Sequence, residues 1–185
     1  MTESLRAQRR MLLLLIAMFF LPIIVSFVLY YATDWRPVGT SNHGVLFDPA
    51  VALPEAAEPL RGKWSLLYVG DGACDENCRR SLVFARQTRL SLNQEMDRVN
   101  RVFLATAGCC DVPYLEGEHK GIKVFDVSEE AAREELLALI PPEDREHSLY
   151  VVDPLGNLVM RYDTRENPRG LLTDLKKLLK LSHIG

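Results

Sequence analysis

Cys74 and Cys78, in the run Gly70-Asp71-Gly72-Ala73-Cys74-Asp75-Glu76-Asn77-Cys78-Arg79-Arg80, are the side chains best suited to chemistry in this 185-residue chain. On a helical turn, residues at i and i+4 share one face about 5–6 Å apart. A disulfide tolerates Cα separations of about 4.4–6.8 Å, so the pair can close a disulfide, attack one, or hold a soft metal ion. Unpaired N–H groups and the positive end of the dipole at a helix start lower a thiol's pKa from about 8.5 into the range of about 3.5–7.5. Arg79 and Arg80 act in the same direction, while Asp75 and Glu76 oppose them. The plainer reading of the pair is a structural disulfide in an oxidising compartment.

Two further thiols, Cys109 and Cys110, are adjacent. Neighbouring cysteines rarely bond to each other without strain, and four cysteines allow three connectivities. They read equally as small buried residues, as a resolving pair for Cys74/Cys78, or as accessory metal ligands. Of the histidines, His43 reads as a solvated residue in a linker and His119 as a loop residue facing water. His147, ahead of an apolar run, reads as a rim or core histidine with a ligand role open.

Elements that position these groups can be read from periodicity. Trp64–Val69 is an apolar run, broken only by Ser65 and rich in strand formers, as expected of a buried parallel strand. The helical pattern that opens at Cys78 carries Leu82, Ala85, Leu92, Met96 and Val99 on one stripe, with Met96 as core filling. Arg101–Ala105 is a second strand, ending in Gly108-Cys109-Cys110-Asp111, and a loop follows to about Lys120. Ile122–Val127 reads as a short strand. Ser128 is a helix cap with Glu129 and Glu130 in the first turn, and Pro141-Pro142 ends that helix. Ser148–Val152 and Leu158–Tyr162 flank Asp153-Pro154-Leu155-Gly156-Asn157, a hairpin signature. Asn167-Pro168 then opens a last helix that buries Leu171, Leu175, Leu178 and Leu179 and exposes Lys176, Lys177 and Lys180.

The chain ahead of this pattern divides into three parts. Residues 1–10 hold Arg6, Arg9 and Arg10 against Glu3, leaving −5 for the rest of a chain whose total is −3. An acidic domain argues against nucleic acid as a partner. Met11–Ala32 is 22 residues without a charge, and about 20 suffice to cross a bilayer. A cleavable signal would have an apolar region of about 7–15 residues, so a retained anchor is the favoured reading. The arginines should stay cytoplasmic. This gives a cytoplasmic N-terminus at 1–10 and a transmembrane helix at 11–32. A Pro/Gly-rich tether follows at 33–61, with one extended piece at Val45–Phe47, and the folded domain occupies 62–185. The expected location is the inner (cytoplasmic) membrane, single-pass, with the C-terminal domain on the periplasmic side.

From Trp64 the order strand-helix-strand-helix-strand-strand-helix, with a dithiol after the first strand, resembles the thioredoxin fold, an α/β fold. A strand–helix–strand unit makes its strands parallel, so their carboxyl ends share one edge. The resemblance implies that the third strand runs antiparallel beside the first, which returns His147-Ser148 to that edge. Cys74, Cys109, Cys110 and His147 are then expected at one rim.

A membrane-anchored thioredoxin-like domain with Cys-x3-Cys resembles the Sco/SenC family, whose members assist copper delivery to cytochrome c oxidase. The likeness covers about residues 62–181 plus the anchor. Cys74 and Cys78 match the two cysteines of the family's Cys-Pro-x-x-Cys, and Asp75 stands at its proline. His147-Ser148, with Asp153-Pro154 and Gly156, is similar to the family's His-Ser/Thr and Asp-Pro-x-Gly strand pair. The resemblance implies copper, Cu(I) or Cu(II), as the metal, with Cys74, Cys78 and His147 as ligands. With the Asp-Pro turns aligned, Arg145 falls at the family's ligand histidine and His147 at the cis-proline of ordinary thioredoxins. Soft thiolates with one imidazole suit Cu(I). Zinc wants four ligands, and Cys109 and Cys110 would complete such a set only awkwardly.

Three functions follow as expectations. The first is a Sco-like factor using the dithiol for copper delivery, thiol–disulfide exchange, or both, in cytochrome c oxidase (CuA) assembly. Its partners would be an oxidase subunit or another assembly factor. The second is a metal-free thiol–disulfide oxidoreductase, which leaves enzyme activity open. The third is a membrane-tethered interaction module with no redox role.

Overall fold

The structure, a computed structural model, describes residues 2–32, 41–106, 110–125, 130–166, 168–182 and 184–185. It falls into two units, 1–41 and 42–185. In the first, helix α1 (Thr2–Ala32) contains the stretch Arg6–Ala32, which is long and apolar enough to cross a membrane.

The second unit is built on a six-stranded sheet. Its strands are β1 (Val45–Ala52), β2 (Trp64–Gly70), β3 (Val99–Ala105), β4 (Lys123–Phe125), β5 (Ser148–Val152) and β6 (Asn157–Asp163). The spatial order is β1-β6-β5-β2-β3-β4. Strands β2, β3 and β4 run parallel, while β5 is antiparallel to β2, and β6 and β1 continue the antiparallel half. Helices α2 (Glu76–Leu90), α3 (Val112–Glu118), α4 (Glu130–Ala138) and α5 (Pro168–Leu181) complete the unit.

The alternation of side chains along a strand explains why β2 reads as continuously apolar. Trp64, Leu66 and Tyr68 face one core, with Leu82 and Ala85 of α2 and Leu171, Leu175 and Leu179 of α5. Leu67 and Val69 face the other, with Leu136 of α4 and Tyr150 and Val152 of β5. Met96 packs against the first core, as expected of a filler.

Five expectations are corrected. The stretch from 42 to 61 is not a tether. Strand β1 pairs with β6, and a 3-10 turn at Glu55–Leu60 seats Leu53, Ala57 and Leu60 in the second core. His43 is accordingly held: Asp174 of α5, itself buried, accepts from its backbone N–H at 2.7 Å and pairs with Nδ1 at 3.1 Å. The helix after Cys78 stops at Leu90, short of Val99. Asn93 takes a left-handed φ of 52°, and a 3-10 turn at Asn93–Arg98 leads into β3. The loop before Lys120 contains α3, and His119 is fully buried instead of facing water, with Nε2 2.9 Å from the Tyr114 hydroxyl. The proposed caps Ser128 and Asn167 lie outside the described residues.

Candidate functional site

Parallel pairing sets Gly70 of β2 opposite Ala105 of β3, and antiparallel pairing sets Tyr68 opposite Leu149 of β5. The carboxyl ends of β2 and β3 and the start of β5 therefore share one edge, where open α/β sheets place their sites.

At that edge the chain turns at Asp71. The Asp71 carbonyl accepts from Cys74 N–H at 3.1 Å, and its side chain accepts from Ala73 N–H at 2.7 Å. The turn leaves Cys74 with a left-handed φ of 50°, which costs a non-glycine residue about 1–2 kcal/mol. Asp75 then caps α2, its carboxylate accepting from Cys78 N–H at 2.9 Å. The residue standing at the resembled family's proline thus supplies a side-chain acceptor that proline lacks.

Cys74 and Cys78 are joined in a disulfide with Cα atoms 5.0 Å apart, and each residue is only 1% exposed. The segment that opens α3 packs against the same core cluster as the pair. Asp111 N–H donates to Gly72 O at 3.0 Å, and the Asp111 side chain caps α3 through Tyr114 N–H. Arg79, one residue beyond Cys78, ties the two sides together. Its Nε donates to Cys74 O at 3.2 Å, its Nη2 meets the Asp111 carboxylate at 3.2 Å, and its guanidinium lies over the Tyr114 ring, 4.7 Å from the centroid. Cys110 packs partly buried against the same core as the Cys74–Cys78 pair and is itself disulfide-bonded. Cys109 lies outside the described residues. A hollow of about 550 Å³ beside α3 is lined by Cys110, Leu115, His119, Ile122 and Val124.

Tyr68 adds a buried phenol at the same edge. Burial, then the negative charges of Asp75 and Glu146, push its pKa well above the usual tyrosine range, so it stays protonated. Its hydroxyl donates to Glu146 O at 3.5 Å, in the segment that precedes β5.

His147 arrives at this edge by its backbone. Its carbonyl accepts from Thr164 N–H at 2.7 Å and from the Thr164 hydroxyl at 3.0 Å, and that hydroxyl is 3.1 Å from Ser81 of α2. His147, however, lines a polar hollow of about 210 Å³ with His43, Glu143, Arg161, Asp163 and Arg165, and neither cysteine is among its lining residues. Hydrogen bonds from Arg165 hold Asp163 there below the usual carboxylate range. Arg145, which aligns with the resembled family's ligand histidine, donates to Leu137 O and Ile140 O and so closes the end of α4.

The donor set can now be tested against copper. The two sulfurs are bonded to each other, and among the described residues no three His, Cys, Asp or Glu side chains are grouped to hold a metal. In this disulfide form the residues do not fit a three-ligand copper centre. The reduced pair would still offer two soft thiolates.

Sequence reasoning read Arg79 only as a charge beside the thiols and did not single out Tyr68, Asp111 or Tyr114. The signal for the segment that opens α3 was Asp111-Val112-Pro113, an N-cap followed by proline in the first turn.

Fold and site together define a thioredoxin-like α/β domain with a disulfide closed across the start of its first helix. A family model described as a transmembrane-like, thioredoxin-like C-terminal domain matches residues 64–182, and the chain belongs to that family. Among curated proteins, none matches its sequence. Of solved structures, apo Sco1 from Thermus thermophilus is 21% identical, covering 75% of this chain and 93% of that one with a TM-score of 0.54. Copper-bound ScoI from Bradyrhizobium japonicum is 18% identical, covering 72% and 98% with a TM-score of 0.52. Copper-bound yeast Sco1 is 19% identical, covering 77% and 95% with a TM-score of 0.52. At these identities the likeness is one of fold.

Proposed function

We propose that this chain is a membrane-anchored, Sco-like factor whose Cys74–Cys78 couple cycles between disulfide and dithiol in the service of cytochrome c oxidase (CuA) assembly. The reading rests chiefly on one observation: the disulfide sits at the β2–α2 junction, on the carboxyl edge of a thioredoxin-like sheet. An apolar helix ahead of the domain supports the anchor. The inner membrane and a periplasmic domain belong to the same proposal.

In the exchange step a partner dithiol gives up two electrons and two protons. One of its thiolates attacks a sulfur of the Cys74–Cys78 bond, and the mixed disulfide resolves into the partner's disulfide and two free thiols here. Those thiols, deprotonated, are the ligands this chain offers Cu(I) as cargo, and an oxidase subunit or assembly factor would receive it. The copper-bound Sco structures of similar fold support that role. A second reading, metal-free thiol–disulfide exchange, is favoured because among the described residues no three His, Cys, Asp or Glu side chains are grouped to hold a metal.

The test uses the full chain in detergent, reduced and handled without oxygen. Bound Cu(I) is counted for wild type, Cys74→Ala, Cys78→Ser and His147→Ala. One Cu(I) per chain that disappears in both cysteine variants supports the proposal. Failure of the reduced wild type to hold Cu(I), with disulfide exchange intact, selects the metal-free reading. A Cys78→Ser chain that still supports oxidase assembly eliminates both.

A further inference from the structure

At the C-terminal end of α2, turns beyond Cys78, four cations surround one small hollow. Arg86 and Arg89 lie one turn apart on α2, Arg101 comes from β3, and Lys120 follows α3. They line a space of about 260 Å³ in which Glu118 is the one acid. This concentration of positive charge stands in a chain that carries −5 beyond its first ten residues.

Arg101 is the informative member, because it is only 6% exposed. Its two hydrogen bonds go to neutral acceptors, His119 Nδ1 at 3.4 Å and Lys120 O at 2.8 Å. Burial, with Arg101 and Arg86 nearby, lowers the His119 pKa, so the imidazole is a neutral acceptor to Arg101. Among the described residues no carboxylate pairs with Arg101. Arg86 leans on Glu118, through the backbone carbonyl at 2.8 Å and the carboxylate at 3.8 Å. Arg89 donates to Val99 O and to the largely exposed Asp97.

A buried guanidinium without a counter-ion is costly, and a bound anion offsets that cost. Guanidinium forks match phosphate oxygens two at a time. The space is below the roughly 300–1,000 Å³ of drug-sized pockets and suits a compact oxyanion. We propose that the hollow between α2, β3 and α3 is a binding site for a phosphate group, either free or as the head of a phosphate ester such as an anionic lipid. The site is independent of the cysteine chemistry.

The full chain in detergent is titrated calorimetrically with inorganic phosphate, at constant ionic strength set by chloride. Saturable binding is expected for wild type, weakened about tenfold or more in Arg86→Gln and in Arg89→Gln, the scale of a lost charged hydrogen bond. Lys176→Gln on α5 should bind as wild type. Arg101→Met should abolish binding; because that site is buried, the two α2 variants keep the test decisive if it fails to fold. Bilayer discs then separate the two sources of phosphate. Phosphate affinity lower in phosphatidylglycerol than in phosphatidylcholine assigns the site to a lipid head, and equal affinity assigns it to the free ion. No saturable binding by wild type, or binding unchanged in the Arg86→Gln/Arg89→Gln double variant, overturns the proposal.

Discussion

Replacing Arg79 with alanine should make the Cys74–Cys78 disulfide far easier to reduce. Both cysteines are 1% exposed, so a small reductant needs a local opening to reach sulfur. The segment opening α3, tied to the motif by Arg79, is the part expected to open. Two contacts of Arg79 reach that segment. The ion pair with Asp111 is partly solvated, 52% and 30% exposed on its two sides, and is worth about 0.2–1 kcal/mol. The Arg79–Tyr114 contact at 4.7 Å adds about 0.5–1 kcal/mol. Together they hold the segment by roughly 1–2 kcal/mol, which corresponds to about a five- to thirtyfold rise in the open population when they are removed. The Asp111 N–H to Gly72 O bond persists in the variant and limits the effect. Reduction by a neutral phosphine would be followed by alkylation and peptide mass, which separates Cys74 and Cys78 from Cys110. High salt should speed wild type and leave Arg79→Ala unchanged, because only the ion pair is screened. Arg80→Ala, at the exposed neighbour, is the control. Equal rates for Arg79→Ala and wild type would refute the gating argument, as would a wild-type disulfide that reduces like an unprotected one.

The remaining expectations concern the scaffold. Burial first, then Arg101 and Arg86, hold the His119 pKa below its ordinary 6.5. The unfolded chain therefore takes up this proton first, so His119's contribution to stability is full above about pH 6.5 and is lost as pH falls toward the folded value. The drop in Tm between pH 7.5 and 5.5 should be smaller in His119→Leu than in wild type. Asp174, buried on α5, accepts from His43 N–H at 2.7 Å and Gly44 N–H at 3.1 Å. Asp174→Ala should cost about 2–3 kcal/mol in urea unfolding and speed hydrogen exchange along β1 before the rest of the sheet.

Much of the positioning frame was legible because its signals are local. The run Trp64–Val69 is apolar at every position except Ser65, as burial on both faces demands, and the Asp153–Asn157 turn fixes the β5–β6 hairpin. The convergence of β2, β3 and β5 at one edge followed from handedness and strand direction alone. What escaped depends on distant partners. Pro49, Pro54 and Pro59 read as linker, yet Leu53, Ala57 and Leu60 recur at helical spacing and find a core that only the finished fold supplies. His119 looked like a loop residue because its partners Tyr114 and Arg101 meet it only after β3 and α3 pack. For His147 the edge was right, but the hollow it lines is completed by Asp163 at the end of β6 and Arg165 just beyond it, which no spacing near residue 147 encodes.

Asp75 has a last implication for how such a couple can work. Its carboxylate receives Cys78 N–H, and its carbonyl receives Arg79 N–H at 2.9 Å, so the first turn of α2 is anchored by oxygen as well as by sulfur. Opening the disulfide therefore need not unravel the helix, and two newly freed thiols would stay side by side on a turn that outlives the bond between them. Repeated cycling then asks the protein to open one segment and not to refold a foundation.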